Sequence, residues 1–291
     1  AKGIREGDPD AMVGGLSLAY LDQAAARGEL DRFLDMVLAE SLPLDFISFH
    51  NYGLAGADRH ILAAREALQG DSRFRTVQMH YNEFNTMTWP WENKRTSFMV
   101  AADIWSAIEL FLGHTDLTLV HWALFRDTRE GLALVDAAGK KTAAYNALEI
   151  FARMPFDRVR TETGTGDLHA IASAEPGRAC LVLYNTGSRK VAAKALLDRI
   201  PFLAGRLDVY RIDSRYSSRQ DDPNNPDCSL ERTESRTFQD SRGLLWEGDV
   251  PARGVVFLEA VHPDAPSLLA DRPAVGTVVR RDYAYPNRGT D

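Results

Sequence analysis

Cysteine is scarce: two residues, Cys180 and Cys228, in 291. That is too few for a disulfide framework or a four-cysteine zinc site, and leaves either one bridge or two separately packed thiols. No run of about 18 apolar residues exists, so no membrane-spanning helix is expected. Basic residues are not in excess. The 34 Lys and Arg stand against 41 Asp and Glu, a formal charge of −7, and the electrostatic footprint of a nucleic-acid binder is missing. No glycine-rich phosphate loop of the usual spacing occurs, since Gly14-Gly15 alone does not make one. Ser17 and Ser48 lack the setting of a nucleophile elbow. The chain also opens at Ala1 without a methionine or an apolar signal core. We therefore expect a fragment or processed product whose upstream part is missing, and its cellular address is not legible.

What is present is globular, 45% hydrophobic against 26% charged, enough for two domains. Strand and helix patterns alternate through the first half. Residues 11–15 read as a short apolar strand ending at a glycine pair. Leu30, Phe33, Leu34, Val37 and Leu38 share one face of a helix over 29–40. Residues 44–50, 74–81 and 117–122 read as further strands; helices are expected near 58–69, 97–112 and 142–153. Nearly continuous apolar strands alternating with helices predict a parallel sheet covered by helices. Four such units fill about 150 residues, against about 250 for a full eight-unit barrel, so this half is a small open sheet or half a barrel. After Pro155 the pattern turns to short alternating runs at 167–174, 179–185, 207–213, 232–238 and 254–261, with turn signals between them. These predict an antiparallel β-sandwich. The expected divisions are 1–155, 156–262 and an extended tail, 263–291, returning over the body.

Parallel α/β folds place their chemistry at the carboxyl ends of the strands. Those ends read Gly14-Gly15, His50-Asn51-Tyr52, Tyr81-Asn82-Glu83 and Trp122. With unbulged strands, Glu83 shares a face with Val77, Met79 and Tyr81, His50 with Phe46 and Ser48, and Trp122 with Thr118 and Val120. If these faces point inward, a carboxylate, an imidazole and an indole converge on one pocket. His80 and His121 then face the helices, which weighs against a three-histidine metal site with His50, and no metal or other cofactor is expected. Glu83 is the strongest single candidate: a nucleophile or general base kept ionised by Asn82, His50 or Tyr52, or else a strand-end glutamate in water or paired with an arginine. Trp89 and Trp91 bracket Pro90 in a following loop, either as platforms for a sugar face or as a loop folded against the body.

At these residues the chain resembles the retaining glycoside hydrolases of clan A, and most of all glycoside hydrolase family 39, which contains β-xylosidases and α-L-iduronidases. Met12-Val13-Gly14-Gly15 is similar to that family's fifth barrel strand. Residues 44–52, with the His-x-Tyr ending, are similar to the sixth; Tyr81-Asn82-Glu83-Phe84-Asn85 to the seventh; and His121-Trp122 to the eighth. Gly131–Asp136, Gly139–Lys141 and Ala144-Tyr145 are like the closing loop and helix, and Leu183–Asn185 and Tyr210–Asp213 like parts of the accessory sandwich. The resemblance implies the carboxyl-terminal half of a (β/α)8 barrel followed by a β-sandwich. It implies Glu83 as nucleophile, His50 and Tyr52 orienting and tuning it, Asn82, Trp89 and Trp122 contacting a glycoside substrate, and no cofactor. Two features depart from the family. Asn82 stands where a threonine or similar small residue commonly precedes the nucleophile. The family's Asn-Glu pair carrying the general acid/base belongs to the fourth strand, upstream of Ala1. Retaining chemistry needs two carboxyls about 5–5.5 Å apart, and a local substitute from Glu92 or Asp127 is weighed and set aside. The fragment alone is expected to be inactive and, with two open sheet edges, prone to self-association. The competing expectation is a non-catalytic carbohydrate-binding or scaffold protein using the same aromatic platforms.

Overall fold

The computed structural model describes residues 1–86, 98–123, 125–126, 133–164, 166–219, 221–240 and 243–265. Trp89, Trp91, Glu92, Asp127 and most of the tail fall outside them. Four strands, β1 (Gly14–Ala19), β2 (Phe46–Tyr52), β3 (Gln78–Asn85) and β4 (Leu117–Trp122), pair in that order, each neighbour parallel. Among the described residues, helices α1 (Lys2–Gly7), α2 (Leu21–Ala26), α3 (Glu29–Ala39), α4 (Leu54–Gln69), α5 (Met99–Leu112) and α6 (Ala143–Arg153) accompany them. Leu30, Leu34 and Val37 of α3, with Ala57, Ile61, Ala64 and Leu68 of α4, form the apolar stripes the periodicity predicts. They pack on Ile47, Phe49, Met79, Tyr81 and Phe84 of the sheet.

Two boundaries differ from expectation. The glycine pair opens β1 rather than closing it, because the chain must pass close to β2 there. A Cβ on Gly14 would sit 2.3 Å from the Phe46 carbonyl oxygen. Strand β3 begins at Gln78, after a turn of 3-10 helix at Ser72–Phe74, so Glu83 lies inside the strand instead of past its end.

The second half holds a six-stranded antiparallel sheet and a two-stranded one. The strands are β5 (Arg158–Val159), β6 (Leu168–Glu175), β7 (Arg178–Asn185), β8 (Val191–Asp198), β9 (Gly205–Ile212), β10 (Glu231–Phe238), β11 (Gly243–Val250) and β12 (Val255–Val261). Their order is β10-β9-β12-β7-β6-β5 in the larger sheet and β11-β8 in the smaller. A shared core of Leu181, Leu183, Val209, Leu244, Trp246 and Leu258 fills the space between them. The pattern of alternation misses β8 and β11. Ala193, Ala195 and Leu197 of β8 point inward, but Leu196 and its partner Leu245 lie outside, 64% and 48% exposed, which erases the apolar-polar contrast that marks a strand.

Helix α5 is buried on two sides. Ala107 packs toward the parallel sheet, while Val100, Ala101, Ile104, Trp105 and Ile108 join α6 and the inner strands β7 and β12. Both cysteines are buried and neither is in a disulfide, so the bridge between them does not form; burial pushes the Cys228 thiol up to about 11. The Asn146 amide, fully buried on α6, donates to the Ser217 and Cys228 carbonyls at 2.8 Å each. Asn146→Ala strips both buried acceptors of that donor. We expect it to lower stability by about 2–4 kcal/mol, read as a lower urea midpoint at unchanged slope.

Candidate active site

The site is built by an irregularity in β3. Strand β2 pairs Phe49 with Tyr81 and then His50 with Glu83, skipping Asn82. On the other side β4 pairs Val120 with Tyr81 and then Trp122 with Phe84. One extra residue is thus inserted against both neighbours, a β-bulge. Tyr81 and Phe84 both turn to the helices, meeting Phe111 of α5 at 5.6 and 4.9 Å between ring centroids. Asn82 and Glu83, caught between them, turn the other way. The expectation that Glu83 shares a face with Met79 and Tyr81 is therefore corrected. It reaches the inner face because the strand is bulged.

His50 alternates with the helix-facing Phe49 and stands beside Glu83 as its register partner. Its Nδ1 is shielded from solvent without a partner among the described residues. Tyr52 closes β2, and its hydroxyl donates to Glu83 Oε1. Immediately after it, Gly53 adopts a positive φ of 86° that glycine tolerates best, and its N–H donates to the Asn85 carbonyl at 2.7 Å. The buried Asn85 amide in turn donates to the Ala123 carbonyl, and the Ala123 N–H to the Phe84 carbonyl at 2.9 Å. The carboxyl ends of β2, β3 and β4 are thus tied together around a half-buried glutamate. Residue-type reasoning gave Asn85 no role; a buried amide next to a strand end is the signal that could have found it.

His80 does not face the helices as expected. Its ring stacks on Phe46 at 4.3 Å, and Nε2 meets Gln78 Oε1 at 2.9 Å. Burial, and then the nearby His121, push its pKa below the ordinary histidine value, so it stays neutral near pH 7. Val120 and Trp122 pack against the helix-side clusters, with the indole edge-to-face on Phe84 at 6.2 Å. The structure therefore brings together Glu83, Tyr52, His50 and Asn82, and does not place Trp122 on the inner face with them. Among the described residues no group of three His, Cys, Asp or Glu could hold a metal ion.

The chain as a whole, parallel sheet and antiparallel sheets included, has counterparts among solved structures. An enzyme of glycoside hydrolase family 39 from Xanthomonas axonopodis pv. citri is similar over 90% of this chain and 62% of its own, at 17% identity and a TM-score of 0.71. A monomeric β-xylosidase from Caulobacter crescentus matches 90% of this chain and 64% of its own, at 15% identity and a TM-score of 0.71. A bacterial orthologue of human α-L-iduronidase matches 91% of this chain and 57% of its own, at 13% identity and a TM-score of 0.71. The fold is that of the family 39 enzymes. The chain spans less than two thirds of the length of those proteins. No protein-family profile matches the sequence, and no curated protein does either. Chemically, the strand ends offer an oriented carboxylate oxygen flanked by an imidazole and an amide, a set suited to nucleophilic attack on an electrophilic carbon.

Proposed function

We propose that this chain is the carboxyl-terminal half of a (β/α)8 barrel, residues 1–155, with its β-sandwich, residues 156–262, from a retaining glycosidase acting on a β-xyloside or related glycoside. The observation that carries the reading is the Tyr52–Glu83 hydrogen bond at the carboxyl end of the parallel sheet. In this mechanism Glu83 attacks the anomeric carbon as the aglycone leaves, and water then hydrolyses the glycosyl ester with net retention. Tyr52 fixes the carboxylate oxygen it binds, leaving the other to attack. His50, beside it, steadies the strand end and the charge that passes through the transition state. The second carboxyl, which protonates the leaving oxygen, is proposed to come from outside these 291 residues. The open edges at β1 and β4 would pair with the remainder of the barrel, or with another copy in its absence.

The test is covalent trapping in the full-length protein. A 2-deoxy-2-fluoro aryl glycoside, which slows the second step more than the first, should add one glycosyl mass to the peptide carrying Glu83. A label on another carboxylate would overturn the assignment. Tyr52→Phe should leave folding intact and lower kcat by about ten- to a hundredfold, since the carboxylate loses the hydroxyl that orients it.

A further inference from the structure

Two strands flanking β2 carry irregularities at the same level. In β1, Leu16 pairs with Ser48 and Leu18 with Phe49, so Ser17 is the extra residue. In β3, Asn82 is the extra residue between the partners of Phe49 and His50. These two residues meet across β2, the Asn82 amide nitrogen donating to Ser17 Oγ at 2.8 Å. Ser17 holds the left-handed backbone region at φ 56°, which costs a non-glycine residue of order 1–3 kcal/mol and persists only where the surroundings impose it. With its nitrogen engaged by Ser17, the amide is left with its oxygen, which is shielded from solvent and has no partner among the described residues. A buried carbonyl without a donor is costly in a resting site. A ligand hydroxyl delivered beside Glu83 would relieve it.

We propose that Ser17 and Asn82 form a hydroxyl-reading pair: Asn82 Oδ1 accepts a hydrogen bond from one ring hydroxyl of the glycosyl group bound at Glu83, and Ser17 holds the amide in the orientation that presents this oxygen. The proposal rests on the glycosidase reading and deepens it to a specificity determinant. Asn82 contacts substrate; Ser17 is a positioning residue. Because the discrimination comes from an acceptor that stays unpaired when the hydroxyl is missing, it should be steep for one ring position and flat for the rest.

The experiment uses the full-length protein and a set of aryl glycosides each lacking one ring hydroxyl. For one of them the unaltered protein should lose about ten- to a hundredfold in kcat/KM. Asn82→Ala should suffer the same loss on the complete glycoside and little further loss on that deoxy substrate. Ser17→Ala should show a smaller loss confined to the same position. Equal losses on every deoxy substrate, or none, would overturn the pair, since a purely structural prop for the two bulges would act on all substrates alike. Ser17 is exposed, so its variants report even if Asn82→Ala fails to fold. If the unaltered protein turns over no glycoside, the glycosidase reading falls, and calorimetric binding of the parent and deoxy sugars decides the pair separately. An unchanged affinity ratio in Asn82→Ala and Ser17→Ala, or no sugar binding at all, then overturns it.

Discussion

Glu83→Gln in the full-length protein should abolish glycoside hydrolysis, lowering kcat by about four orders of magnitude or more, the scale on which removal of an enzyme nucleophile acts. The glutamine is nearly isosteric, and its amide oxygen still accepts the Tyr52 hydroxyl that now meets Glu83 Oε1. Folding and sugar affinity should therefore stay within a few-fold of the unaltered protein. Glu83→Ala goes further by opening a space where the carboxylate stood. Azide entering that space should restore turnover of an activated aryl glycoside and release a glycosyl azide of opposite anomeric configuration. Steady-state rates and the proton spectrum of the product check both. An unaffected rate in Glu83→Gln removes this residue from the chemistry and with it the proposed function.

The second large effect concerns stability. Phe257 sits fully buried in β12, the strand between β7 and β9, with its ring 5.7 Å from that of Tyr210. It belongs to the cluster that joins the larger antiparallel sheet to α5 and α6. Phe257→Ala removes transfer energy and leaves a cavity that strands hydrogen-bonded on both sides cannot collapse into. The expected loss is about 3–5 kcal/mol, a large share of a typical stability of 5–15 kcal/mol. Leu245→Ala, on the outer face and 48% exposed, should cost under about 1 kcal/mol. Urea unfolding of the two variants side by side measures the difference, and equal losses would contradict the packing described.

Most helices and parallel strands were legible because their stripes are clean. Leu30, Leu34 and Val37, for instance, repeat at the helical period and are all buried. The candidate site was legible in its residue types, since His50, Tyr52, Asn82 and Glu83 do gather at the strand ends. The geometry was not. A period of two puts Glu83 on the same face as Tyr81, and nothing local announces the extra residue that separates them. That bulge is set by pairing with two neighbouring strands, a non-local condition. Residue type offers Ser17 only as a candidate nucleophile, whereas its place depends on a register slip against β2. The two-stranded sheet was missed because Leu196 and Leu245 remain outside, where alternation would have required polar residues.

Helix α5 has a consequence for any attempt to take the molecule apart. Its flank bearing Trp105 is covered by α6 and the larger antiparallel sheet, while Ala107 lies against the parallel sheet. It is a party wall, so cutting the chain near Pro155 would strip the antiparallel sheet from the cluster that α5 and α6 share with it. Subcloning should therefore keep the sandwich attached to the parallel sheet.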